Sequence, residues 1–240
     1  MRTEFHVHTC ASKDSILTWP FILAAAKVRH IDCIAVTDHN EIKNALRYRR
    51  ILSRFGIKVI PGEEVFSKEG EIIGLFLEKR IEPGLSPEET VKRIREQGGV
   101  TYVPHPYDEK RAKTVLKPDA LSRISQDVDL IEMHNGRNIS ASFGIKQKKI
   151  ADEYGIVKVV GSDAHTFYEL GRNICVCGDL NKDNIKDELT KATFIKKPCI
   201  PFSHKHTKVV KALKLLFGGR ADELRGIIRK RRKRKMQDTQ

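Results

Sequence analysis

The chain has 240 residues and is 40% hydrophobic, enough for one sizeable domain with a buried core and too apolar for disorder. No apolar run reaches the roughly 18 residues of a membrane span, the start does not resemble a signal peptide, and the five cysteines contain no CxxC pair; a cytoplasmic protein without disulfide framework or zinc ribbon is expected. The net charge is +14, and residues 203–240, with thirteen Lys or Arg against three Asp or Glu, carry +10 of it.

Hydrophobic period and punctuation predict strands alternating with helices. Residues 2–8 (RTEFHVH) read as a first strand, followed by a helix near 18–30 with Pro20 in its first turn. DCIAVT (32–37) reads as a second, buried strand, and a basic amphipathic helix near 41–55 ends at Gly56. IKVIPG (57–62) and EIIGLFL (71–77) are strands three and four. A helix over 86–97 opens with Ser86 and Pro87. VTYVP (100–104) is the fifth strand, a helix lies near 118–126, and DLIEMH (129–134) is the sixth strand. A helix spans about 140–154, GIVKVVGSD (155–163) is the seventh strand, and a strand near 174–177 and a helix near 182–192 complete the body. Repeated β-then-α units with short links predict a parallel sheet, closed as a barrel or wound open.

Unusual polar residues fall at the C-terminal ends of these strands, where a barrel places its active site. His6 and His8 are two apart, so both point to one face. His39 stands in TDHN, Glu63 and Glu64 in PGEEV, His105 between two prolines, His134 at the end of strand six, and Asp163 and His165 in GSDAH. Such side chains bind zinc, manganese or iron, and a carboxylate can bridge two ions. Singly, a strand-end His is usually a hydrogen-bonded structural residue and an Asp there a helix cap. Their recurrence at one end of successive strands is what structure alone does not explain.

The segments FHVHTCASKDS (5–15), IAVTDHN (34–40), VIPGEEV (59–65), VPHP (103–106), IEMHNGR (131–137) and GSDAH (161–165) closely resemble, in order, those of the PHP (polymerase and histidinol phosphatase) family. The resemblance covers residues 1 to about 200. It implies an α/β fold, a distorted (β/α)7 barrel over 1–202, leaving 203–240 as a basic helical extension. It also implies a metal-dependent phosphoric ester hydrolase with two or three divalent ions (Zn, Mn or Fe). His6, His8, Glu64 and Asp163 would hold one ion, and Asp14, His39 and His165 another. Glu64 would bridge to a middle ion that also takes His105. Glu64 is preferred because the family ligand falls two residues after the glycine; strand alternation sends Glu63 to the other face, at the surface or behind the ligands. One departure stands in Glu71-Ile72-Ile73-Gly74, where many members place a histidine before the glycine. His134 is the candidate to compensate; a hydrogen-bonding residue of the cleft is its other reading.

The expected chemistry is phosphoester hydrolysis by a metal-bound hydroxide, centred on Glu64 and His105. Arg137 is the candidate phosphate fork, supported by Asn135, and Asp38 either orients a ligand histidine or caps the next helix. Arg229, Lys230, Arg231, Arg232, Lys233, Arg234 and Lys235 form a run of cations that favours a nucleotide or nucleic-acid substrate; a solvated basic end is the plain alternative. Residues 207–228 have helical spacing broken at Gly218-Gly219, which suits a hairpin packed on the barrel or a helix on an anionic membrane. The rivals are a histidinol-phosphate-type phosphatase, a nucleic-acid-binding PHP-like subunit, and an amidohydrolase, for whose bridging lysine only Lys79 is at hand.

Overall fold

The computed structural model describes residues 1–139 and 144–217. Its main elements are β1 (Arg2–Val7), α1 (Trp19–Arg29), β2 (Cys33–His39), α2 (Lys43–Leu52), β3 (Lys58–Ser67), β4 (Gly70–Leu75), α3 (Pro87–Glu96) and β5 (Val100–Val103), then α4 (Pro118–Ile124), β6 (Leu130–Asn135), α5 (Ile145–Tyr154), β7 (Val157–Ala164), β8 (Ile174–Val176), α6 (Ile185–Thr190), β9 (Thr193–Ile195) and α7 (Ser203–Phe217). Local chemistry explains the boundaries where it is strong. At α3, Ser86 Oγ accepts from Glu89 N, Pro87 follows, acids fill the first turn and arginines the last.

β1 pairs with both β2 and β7, so strands β1 to β7 close into a barrel. The expected all-parallel sheet needs one correction. β4 runs antiparallel to β3 and to β5. Only Lys68 and Glu69 separate β3 from β4, too few for a crossover helix, so the two strands form a hairpin. The start of β4 therefore lies at the end of the barrel where β3 stops. β8 pairs antiparallel with β1 and carries β9 beyond the barrel.

Two hydrophobic cores result. Val7, Ile34, Val36 and Ile131 pack outward against helix residues such as Ile22 and Ala45. Phe5, Ala35, Ile60, Ile73, Tyr102 and Leu130 fill the barrel interior, joined by Leu180, Ile185 and Leu189. The segment carrying those last three closes the N-terminal end, where Asp179 pairs with Lys58 at the start of β3 and Lys186 with Asp129 just before β6. α7 lies across the opposite end, the mouth. Among the described residues no helix is long and apolar enough to cross a membrane.

Candidate metal centre at the barrel mouth

β1 delivers two imidazoles to the mouth by breaking its own alternation. Phe5 already faces the interior, and a bulge follows at which His6 takes a φ of 72°. That left-handed turn re-aims the next side chain inward as well. His105 (φ 32°) and Asp163 (φ 51°) are also left-handed. For a residue with a Cβ this costs roughly 1–2 kcal/mol, and it persists where the surroundings over-determine it.

His6 Nε2 and His8 Nε2 approach to 3.1 Å. Asp163 Oδ1 lies 3.7 and 3.3 Å from these two nitrogens. Glu64 sits at the centre: Oε1 is 3.3 Å from His6 Nε2 and 3.1 Å from His105 Nε2, and Oε2 is 3.4 Å from His8 Nε2 and 2.8 Å from His39 Nδ1. Asp14 Oδ1 lies 3.4 Å from His165 Nε2 and 3.8 Å from His39 Nε2. Glu71, at the start of β4, brings its carboxylate 3.6 Å from His39 Nδ1 and 3.5 Å from His105 Nε2. Four overlapping sets, His6–His8–Asp163, His6–Glu64–His105, His39–Glu64–Glu71 and His8–His39–His165, each hold ligand atoms within 4.8 Å of one another.

The surroundings fix which ring nitrogens carry protons. Glu132 Oε1 lies 3.2 Å from His6 Nδ1 and, as a carboxylate, accepts from it. Ser12 Oγ gives its proton to Asp38 Oδ1 (2.6 Å) and so accepts from His8 Nδ1 (3.2 Å). With Nδ1 protonated in both rings, the two Nε2 atoms face the same point, where a proton or a metal ion would have to sit between them. Among the described residues, the buried oxygens Glu64 Oε2 and Asp14 Oδ1 have no aligned hydrogen-bond donor. A set of imidazoles and carboxylates arranged in this way fits zinc, manganese or iron.

The electrostatics agree. Burial opposes charge on Glu64, but His6 and His39 outweigh it and hold the carboxyl well below the usual range. Burial likewise opposes charge on Asp163, but Arg111 and His6 keep it ionised. Burial, with His165 and His39 nearby, keeps His8 well below an ordinary histidine, in the neutral form a metal needs. Burial pushes His6 down, yet Asp163, Glu64 and Glu132 raise it well above its ordinary value. The carboxylates thus demand positive charge at this point, from a proton or an ion. Burial and Glu64 push Glu71 up to about 7.

Of the expected ligands, His6, His8, Asp14, His39, Glu64, His105, Asp163 and His165 are brought together. His134 is not: a register shift between Glu132 and His134 reverses its face, and its Nε2 lies 3.3 Å from the Lys197 carbonyl. Glu132 takes the inward place. It accepts from Tyr102 Oη (2.7 Å), His105 N (2.6 Å) and Asn135 Nδ2 (2.8 Å). A Cβ at Gly161 would stand 2.1 Å from Glu132 Oε1, so only glycine fits behind it. Asn135 is fully buried behind the cluster, its carbonyl taking Arg137 N, and it does not line the cavity. Arg137 does, but its guanidinium is engaged: Nη1 lies 2.9 Å from His165 Nδ1, and Nη2 donates to Ser203 O and Thr207 Oγ1. Asp38 accepts from Thr9 and Ser12, backbone and hydroxyl alike, and steadies His8 through Ser12; α2 has no side-chain cap. Glu63 is not at the surface but buried, accepting from Ile81 N, and burial pushes it up to about 7. Lys79 is exposed. Arg229 to Lys235 lie outside the described residues.

Glu71, Glu132 and Arg111 are the residues sequence reasoning missed. The matching parity of Leu130 and Glu132 on β6 signals an inward acid. Glu71 becomes visible only once β3 and β4 are seen as a hairpin. Above the cluster lies a cavity of about 610 Å³, lined by Asp14, Glu71, His39 and His165 and by four cations, Lys13, Arg111, Arg137 and Lys211. Arg111 Nη2 pairs with Asp163.

The PHP domain family model matches residues 4–162. An uncharacterized protein of Methanocaldococcus jannaschii is 32% identical over 197 residues, covering 81% of this chain and 78% of its own. A two-domain protein of Bacteroides vulgatus, described as containing a predicted PHP-like metal-dependent phosphoesterase, superposes with a TM-score of 0.65 at 16% identity; the alignment covers 82% of this chain and only 64% of that one. An amidohydrolase of Chromobacterium violaceum, solved with sulfate and no metal, gives a TM-score of 0.55 at 16% identity over 86% of this chain and 96% of its own.

Proposed function

The chain belongs to the PHP family, and on that premise we propose that it is a metal-dependent phosphoesterase acting on a nucleotide or an oligonucleotide. One observation carries the reading: four cations share a cavity with an imidazole–carboxylate cluster suited to divalent ions. A phosphoester, with anionic oxygens on a tetrahedral centre, has use for both; a neutral cyclic amide has no use for the cations, and the lysine an amidohydrolase wants is exposed at Lys79. A cavity of about 610 Å³ is of a size that holds a nucleotide. The basic run of residues 229–235 supports the same substrate class.

His6, His8, Glu64 and Asp163 would hold one ion, Asp14, His39 and His165 a second, and Glu64, His105 and Glu71 a middle one. Divalent ions there would supply Lewis acidity that polarises the phosphoryl oxygens and lowers the pKa of water towards about 7. The chain's own part is preorganisation. Glu132 fixes the His6 ring and the His105 backbone, and Asp38 fixes His8 through Ser12. Arg111 balances the Asp163 carboxylate beside the cavity and offers a fixed positive charge to the phosphoryl oxygens.

The test is release of phosphate or nucleotide with manganese added, against a His8→Ala control. The panel holds histidinol phosphate, a nucleoside 3′,5′-bisphosphate and a short single-stranded oligonucleotide. Turnover of a nucleotide or oligonucleotide, lost in the control, supports the proposal. Turnover of histidinol phosphate alone would refute the nucleotide assignment, and turnover of none would refute the phosphoester reading.

A further inference from the structure

We propose that α7 forms one wall of the active site and that its Lys211 binds a second anionic group of the substrate. The inference rests on the phosphoester reading above and narrows it to substrates that carry two anionic groups.

Ser203, Thr207, Lys211, Lys214 and Leu215 recur along α7 at steps of one helical turn and share a face. That face is anchored at both ends. At the first, Arg137 Nη2 donates to Ser203 O at 3.1 Å and Thr207 Oγ1 at 3.0 Å, and His204 Nε2 donates to the Arg137 carbonyl at 2.8 Å. At the second, Leu215 is buried and Lys214 Nζ donates to the carbonyls of Cys10 and Ser12, both at 2.8 Å. The loop that receives Lys214 is the one that presents Ser12 to His8 and carries Asp14. α7 is therefore tied to the same short segment that positions the candidate ligands.

Lys211 lies between the two anchors and lines the cavity with Lys13, Asp14 and His165. The cations around that cavity differ in what they already hold. Arg137 is engaged by His165 and α7, and Arg111 by Asp163 and Asp108. Among the described residues, no hydrogen bond or ion pair engages the amine of Lys211 or of Lys13. Both acids that line the cavity, Asp14 and Glu71, face imidazoles instead. The Lys211 ammonium, on an exposed and flexible four-carbon stem, has no protein acceptor among the described residues and shares the cavity with two arginines, so an anion brought in with the substrate matches it. The boundary expected at residues 202 and 203 then falls inside the site.

The experiment uses the full chain with Lys211→Ala and Lys211→Arg. A nucleoside 5′-monophosphate and the corresponding 3′,5′-bisphosphate are titrated calorimetrically in metal-free buffer, then assayed for turnover with manganese. Lys211→Ala should weaken bisphosphate binding about tenfold, the loss of one charge-assisted contact, with monophosphate binding within about twofold. KM for the bisphosphate should rise by a similar factor at unchanged kcat, and Lys211→Arg should restore most of the loss. Equal loss for both nucleotides, no loss for either, or no bisphosphate binding to the unaltered chain would overturn the proposal. Absence of turnover with intact, Lys211-dependent bisphosphate binding would instead count against the phosphoester reading alone.

Discussion

The two ends of this barrel are built from the same strands to opposite rules. The N-terminal end is closed by Leu180, Ile185 and Leu189 against Phe5, Ile60 and Leu130. At the mouth the same inward positions hold His6, Glu64, His105 and Asp163, each 1% exposed or less. Burying such groups is costly unless each is paired or meets an ion, so the apolar end supplies stability while the mouth gathers the candidate ligands. Among the described residues, three of the seven non-glycine residues in the left-handed region, His6, His105 and Asp163, are candidate ligands at the mouth.

Substitutions at the two ends should therefore fail differently. His8→Ala should lower phosphoester turnover by at least about 10³-fold and reduce bound metal, read by assay and elemental analysis, while leaving the unfolding midpoint near that of the metal-free parent. Retention of both activity and metal would remove the mouth from the chemistry. Leu189→Ala should cost about 2–4 kcal/mol in a denaturant titration with kcat/KM unaltered; a matching loss of activity would mean that the two ends are not independent. Glu132→Gln should sharpen the contrast from the mouth side: among the described residues its carboxylate bonds the His6 ring, Tyr102, Asn135 and the His105 backbone, and its loss should weaken metal affinity about 10–100-fold, measured by competition with a chelator.

A pH-dependent effect concerns Glu63, next to Glu64 but on the helix side of the wall. Burial raises its folded pKa to about 7 from 4.5. The folded chain therefore holds a proton that the unfolded chain has already released. Stability is full below about pH 4.5, falls as pH rises, and its loss is complete above about pH 7, for roughly 3 kcal/mol at most. Glu63→Gln should flatten that part of the pH–stability curve; an unchanged slope would place the titration elsewhere.

Read along the chain, hydrophobic period predicted the order of strands and helices and set imidazoles and carboxylates at strand ends, while six ordered segments carried the likeness to the PHP family. Alternation, a local property of one strand, put Glu63 and Glu64 on opposite faces, and the resemblance to the family chose Glu64 as the ligand. Tertiary structure decided what local pattern cannot carry. Strand direction put the start of β4, and hence Glu71, at the mouth. The bulge beside His6 and the register shift before His134 reversed the parity of their side chains, which made Glu132 rather than His134 the inward residue. The engagement of Arg137 by Ser203 and Thr207, and of Lys214 by Cys10 and Ser12, joins residues 66 to 204 positions apart. Hydrophobic period reports only which way a side chain faces from its own element; which elements meet depends on how the closed barrel brings distant segments together.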